Sequence, residues 1–276
     1  MHRSPHQGTS IEFAQHRAYA PGDDIRHLDW KVFARTDKLH LKQYRQETNL
    51  ELILLVDASG SMAYTSSSEP GRRKFDLAAT CAAVLAYLAL HQQDRVGLTT
   101  FGNGVVAQSR LASGRAHWRA ITEALTMGHS PQAGGGDDDT GTDLRRAVDQ
   151  VVATLSRRSL IVLISDFFDD TEAIETALAR VHHRRHDLIL VQTLDPAERC
   201  FPFRGPAALL GLEGEGRLHI DASALRRTYL ESFEAHSNAV AAAAQRFRFD
   251  HLAVDGDAAL GPHLSRFLAQ RSRTGR

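Results

Sequence analysis

The sequence predicts an α/β fold: a doubly wound, mostly parallel sheet with helices on both faces. Three observations carry this expectation. Short, almost continuously apolar runs recur at 50–56, 160–165 and 188–194, the mark of strands buried on both faces. Stretches of helical periodicity separate them, as parallel strands require. The 276 residues are 42% hydrophobic and 24% charged, ordinary globular values that leave room for one large domain or two small ones.

Residues 1–48 are polar and charge-mixed, and they are read as an extension packing on the core of a domain spanning 49–276. The first apolar run ends at Asp57-Ala58-Ser59-Gly60-Ser61, a turn sequence. Residues 75–90 predict a helix that is apolar nearly all round and therefore central. A strand over 95–101 turns through Gly102-Asn103-Gly104 into a short antiparallel edge strand at 105–107. Helices follow over 115–127 and 143–155, then the second apolar strand, a helix near 171–183 and the third strand. Two short apolar stretches flanking a Gly-Glu-Gly turn predict a hairpin. A helix over 222–245, a strand near 247–254 and a last helix over 258–270 complete the chain.

Composition excludes several classes. Thirty-three Lys and Arg balance thirty-three Asp and Glu, which argues against nucleic acid as a partner. Cys81 and Cys200 belong to no CxxC pair and make no disulfide framework, so a reducing, cytoplasmic setting is expected. The start has no apolar stretch behind its charge and does not read as a signal peptide. The longest apolar run, 77–90, is shorter than the roughly 20 residues that span a bilayer, so no membrane insertion is expected.

In an open parallel sheet, ligands bind beyond the carboxyl ends of the strands. Two predicted strands end in an aspartate, Asp57 and Asp166, and between them runs Gly134-Gly135-Gly136-Asp137-Asp138-Asp139-Thr140-Gly141-Thr142-Asp143. Asp57, Ser59 and Ser61 fall at i, i+2 and i+4, a spacing that can turn three oxygens toward one point. Carboxylate and hydroxyl oxygens are hard ligands that suit Mg²⁺, Mn²⁺ or Ca²⁺. Two carboxylates neutralise such an ion while hydroxyls add no charge. A position is then left for an incoming carboxylate.

These residues resemble a known motif. Asp57-Ala58-Ser59-Gly60-Ser61 has the DxSxS form of the metal-ion-dependent adhesion site of von Willebrand factor A domains. Gly141-Thr142-Asp143-Leu144 is similar to its threonine element, and Ile164-Ser165-Asp166 to its final aspartate. The resemblance implies a metal held by Asp57, Ser59, Ser61, Thr142 and Asp166, with Thr140 as the alternative to Thr142. A second resemblance covers most of the chain. Glu12-Phe13, the stretch from Arg17-Ala18-Tyr19 through Asp29-Trp30-Lys31 to Arg35-Thr36, and Glu47-Thr48-Asn49 resemble the bacterial "domain of unknown function 58" family. That resemblance implies a von Willebrand A-like fold and a partner among AAA+ ATPases of the MoxR type. It also implies, in relatives, a further segment ahead of the stretch matching His2-Arg3-Ser4-Pro5.

Plainer readings compete at each position. Serine and aspartate favour turns and helix caps without any metal, and the run at 137–139 reads first as a solvated loop. Asp23, Asp24, Arg26, Asp29, Trp30 and Arg35 form either a partner-binding surface or an ion-paired cover with Trp30 packed on the core. His182, His183 and His186 sit near a helix end, where cationic residues are expected. No phosphate-cradling GxxxxGK[ST] and no GxSxG elbow occurs. A phosphatase with an aspartate nucleophile after its first strand would want a second Asp where Ser59 stands. The expected function is a non-enzymatic, divalent-metal-dependent protein-binding module in chaperone-like work, its metal receiving a Glu or Asp from the partner. The alternatives are a Mg²⁺-dependent hydrolase using the same site and a structural subunit with a vestigial one.

Overall fold

The computed structural model describes residues 12–21, 23–45, 50–69, 71–128, 144–212, 216–256 and 259–273. The chain falls into two units, Met1–Asn49 with Thr274–Arg276, and Leu50–Arg273. In the smaller unit, strand β1 (Glu12–Ala18), helix α1 (Trp30–Thr36) and strand β2 (His40–Arg45) follow in order. β1 and β2 pair antiparallel. Asp29 starts α1 by accepting the Lys31 and Val32 N–H groups at 3.0 and 3.2 Å, satisfying donors that the first turn leaves free. Among the described residues of this unit, Leu28 and Leu41 are buried and apolar, and they bridge. Trp30 is not a core residue: it is 63% exposed and meets Phe33 edge-on.

The larger unit is built on β3 (Glu51–Asp57), β4 (Arg95–Phe101), β5 (Val105–Ala112), β6 (Leu160–Ser165), β7 (Asp187–Leu194) and β10 (Asp250–Asp255). Their order in the sheet is β10-β7-β6-β3-β4-β5. All neighbours are parallel except β5, which runs antiparallel to β4 at the edge. The predicted fold class is therefore borne out. The edge strand is eight residues long and not the short piece expected at 105–107, because the alternation of exposed and buried residues continues past Ala107.

Alternate residues of each strand feed two cores. Leu52, Leu54 and Val56 face one side with helix α2 (Lys74–His91), α3 (Trp118–Gly128) and α8 (Leu260–Arg273). Ile53 and Leu55 face the other with α4 (Leu144–Thr154), α5 (Thr171–His183) and α7 (Ala222–Arg246). This double burial is why the strands read as continuous apolar runs. The short helix α6 (Pro196–Cys200) follows β7, and the hairpin β8 (Pro206–Leu210) and β9 (Arg217–Asp221) leads into α7.

α2 is not central. It covers one face of the sheet through Ala78, Cys81, Ala82 and Ala86, all fully buried, while Val84, Tyr87 and Leu88 are exposed. Small alanine side chains bring it close to the strands, and they also hide amphipathicity in the sequence. At 18 residues it is long and apolar enough to cross a membrane by length and composition. The run at 77–90 understated that length, since the helix extends through Lys74 and His91.

Candidate metal centre

The chain leaves β3 for β4 on one side, then returns to place β6 on the other side of β3. The gap between β3 and β6 is thus the topological switch point, where open α/β sheets bind ligands. Val56 pairs with Ile164 across it. The next residues of both strands deliver Asp57, Ser165 and Asp166 to the same edge.

Asp57 and Asp166 are each only 2% exposed. Asp57 Oδ1 accepts the Ser59 N–H at 2.9 Å, and Oδ2 accepts the Ser165 hydroxyl at 2.6 Å. The Ala58 N–H donates to the Phe101 carbonyl at 2.6 Å, pinning the turn to the end of β4. Ser59 and Ser61 then bring their hydroxyl oxygens within 3.1 Å of each other. A shallow pocket opens here, lined by Asp57, Ser61, Leu144, Asp166, Phe168 and Asp169 among others.

The turn after β6 is held in a costly shape. Phe167 has a φ of +57°, the left-handed region that residues with a Cβ seldom enter. The Phe167 N–H donates to Ser165 Oγ at 2.9 Å, and His236 Nε2 donates to the Phe167 carbonyl at 2.7 Å. These bonds secure the turn. It sends the Phe167 ring into the core with α4 and α5 and leaves Phe168 at the surface, 42% exposed.

Two members of the site, Lys74 and Glu198, were missed from sequence. Lys74, 2% exposed, donates to Asp166 Oδ2 at 2.7 Å and to Glu198 Oε1 at 2.6 Å. Burial works against its charge, yet Asp166 and Glu198 outweigh that and hold its pKa above the ordinary lysine value. Burial raises Glu198 despite the ammonium beside it. A signal was present: Lys74 opens a mostly apolar helix at the end where the dipole disfavours a cation. Glu198 was also legible, since Asp195-Pro196-Ala197-Glu198 has capping-box spacing. In the structure Glu198 Oε2 does accept the Asp195 N–H at 2.9 Å.

The donor set fits a hard divalent cation. Asp57, Asp166, Ser59 and Ser61 offer oxygen only, and each carboxylate oxygen has a lone pair beyond the bond it already accepts. Burial first, and the charge of Asp166 second, push the Asp57 carboxyl up to about 7 against the hydrogen bonds from Ser165 and Ser59. Positive charge beside the two carboxylates would offset that penalty. Among the described residues no group of three or more His, Cys, Asp and Glu is arranged to hold a metal, so any ion here depends on hydroxyls as well. Thr142, its alternative Thr140 and the aspartates at 137–139 lie outside the described residues.

The other sequence candidates belong to the smaller unit. Asp23 pairs with Arg17 at 2.7 Å and accepts the Ala20 N–H, and those bonds lower its carboxyl pKa. Asp24 is gripped by Arg26, which brings it down to about 2. Asp29 caps α1 and meets His16 at 2.9 Å. Arg35 is exposed on α1. These three carboxylates are engaged within their own unit.

A family model described as "Protein of unknown function DUF58" matches residues 15–239. An uncharacterised protein of Mycobacterium tuberculosis (strain ATCC 25618 / H37Rv), Rv1480, is 30% identical over 268 residues, covering 96% of this chain and 81% of the relative. The uncharacterised protein YeaD of Bacillus subtilis is 27% identical over 153 residues, 54% of this chain and 35% of that one. Among solved structures, BatB from Bacteroides thetaiotaomicron is similar at a TM-score of 0.49 and 16% identity, covering 81% of this chain and 99% of that one. The SpRpn10 VWA domain is similar at 0.43 and 13%, covering 81% and 95%.

Proposed function

We propose that this chain, which belongs to the DUF58 family, is a non-enzymatic protein-binding module of von Willebrand A type whose grip on a partner depends on a divalent cation. The observation that carries this reading is the meeting of Asp57 and Asp166 at the switch point, with the Ser59 and Ser61 hydroxyls beside them.

Asp57 and Asp166 would hold Mg²⁺, Mn²⁺ or Ca²⁺ together with Ser59 and Ser61, and Thr142 is the further ligand that the motif implies. When bound there, the ion supplies positive charge and an open position for a Glu or Asp carboxylate of another protein. The chain's own part is preorganisation. Ser165 and the Ser59 N–H fix both Asp57 oxygens before any ligand arrives. The Phe168 N–H, 3.1 Å from Asp166 Oδ1, does the same for the second carboxylate. Such fixing spares the partner the ordering cost of assembling the site. The partner suggested by the family resemblance is an AAA+ ATPase of the MoxR type, in a cytoplasmic, chaperone-like role.

The test is to immobilise the chain and measure binding of a purified MoxR-type ATPase from the same organism in Mg²⁺ and in EDTA, with Asp57→Ala alongside. Retention only with Mg²⁺ and intact Asp57 supports the reading. Equal retention in EDTA overturns the cation dependence, and metal-dependent turnover of phosphate esters lost in Asp57→Ala overturns the non-enzymatic part.

A further inference from the structure

Lys74 is the least expected group near the sheet edge. Its ammonium is enclosed by Asp166, Glu198 and the Phe168 and Tyr64 rings, with ring centres at 4.7 and 5.9 Å. Packing alone gives no reason for a lysine. A buried ion pair is commonly no better for stability than apolar side chains of similar volume, and the start of a helix is an unfavourable place for a cation.

Charge counting gives a reason. Asp57, Asp166 and Glu198 carry three negative charges when ionised, and Lys74 carries one positive charge. At least two negative charges are left, with Asp169 also lining the pocket and Asp195 buried beside Glu198, and a divalent cation would offset two of them. Lys74 donates to Asp166 at Oδ2 and to Glu198 at Oε1, so the ammonium bridges the two carboxylates. The ammonium therefore competes with an incoming ion for the field of Asp166, while Glu198 partly offsets that competition.

We propose that Lys74 is a resident cation that sets the affinity of this site for its divalent ion. It holds Asp166 in the binding geometry when no ion is present, and it weakens ion binding so that the site loads reversibly. Through Glu198, which also closes the cap of α6, the charge balance reaches the segment after β7. This inference rests on the metal-binding reading above and deepens it.

The experiment is Mn²⁺ titration of the full chain, with free ion counted by electron paramagnetic resonance. Two variants are predicted to move in opposite directions. In Lys74→Met/Glu198→Gln the carboxylates Asp57 and Asp166 remain and the ammonium is gone, so Mn²⁺ is expected to bind about tenfold tighter. In Glu198→Gln alone the ammonium is unbalanced, and binding is expected to weaken by about threefold or more. A merely structural role for Lys74 would not reverse the sign between the two.

Asp57→Ala serves as the control for the site. Suppose the wild-type chain and both variants take up no Mn²⁺: then the metal reading falls, and this proposal with it. If the wild-type chain binds Mn²⁺ through Asp57 but the variants match it or shift the same way, only the role of Lys74 is overturned. Should the double variant fail to fold, Glu198→Gln decides by itself, and an unchanged affinity there refutes the proposal.

Discussion

Ser165 donates its hydroxyl hydrogen to Asp57 Oδ2 at 2.6 Å, joining the ends of two neighbouring parallel strands that lie 108 residues apart in sequence. The Ser165 hydroxyl oxygen in turn accepts the Phe167 N–H, so one hydroxyl secures both a buried carboxylate and the strained turn beside it. Removing it in Ser165→Ala leaves a buried acceptor and a buried donor without this partner. A loss of about 1–3 kcal/mol is expected, read from urea unfolding in EDTA. An unchanged midpoint would show that the turn does not depend on this bond.

Gly128 ends α3 against β4. A Cβ there would lie 2.9 Å from Thr100 Cγ2 and 3.1 Å from Phe75 Cζ, closer than packed atoms tolerate. Gly128→Ala is expected to lower stability by about 1–3 kcal/mol through overpacking. A variant as stable as the parent in the same urea titration would mean that α3 shifts freely outward.

The amino edge of the sheet predicts a pH dependence. His186 is 6% exposed, and its Nδ1 accepts the Ser159 N–H at 3.2 Å, so this nitrogen carries no proton. Burial, helped by the charge of Arg184, lowers its pKa below the ordinary histidine value. Burial lowers His251 as well. A histidine depressed in the folded state contributes stability above its unfolded pKa of roughly 6.5, and that contribution is lost as pH falls through the folded value. The two histidines therefore add a slope in which stability declines as pH drops from about 7 toward 5. It is set against the opposite slope of Asp57 and Glu198, whose raised carboxyls take up protons in the folded chain over the same range. His186→Asn, whose amide oxygen can accept from Ser159, should flatten part of that slope; a slope identical to the parent's would place its origin elsewhere.

The two thiols differ in access. Cys81 is fully buried, and burial pushes its pKa up to about 12, while Cys200 is exposed at the end of α6. Thiolate is the reactive form. A disulfide reagent at pH 8 should label Cys200 in the folded chain and reach Cys81 only on unfolding. Rapid labelling of both would show that α2 opens readily from the sheet.

Much of the fold is legible in the sequence. The runs at 50–56, 160–165 and 188–194 announced doubly buried strands because side chains on both faces of each must be apolar. Asp57 and Asp166 stood out as the polar residues at which two of those runs stop. The edge strand and α2 were less clear. β5 alternates in burial, but its first inward residue past Ala107 is the polar Ser109. The alanines of α2 pack closely enough to bury one face without showing an amphipathic pattern.

What the sequence by itself determined is local: which segments are strands and helices, and which residues end them, since periodicity and turn chemistry act over a few positions. What only the tertiary structure decided is which strand ends are neighbours. The order β10-β7-β6-β3-β4-β5 sets Asp57 beside Ser165 and Asp166, and the start of α2 brings Lys74 between Asp166 and Glu198. The physical reason is that charge balance in a buried site acts over a few ångströms of space. Those distances join residues 92 and 124 positions apart in the chain, and no local pattern records them.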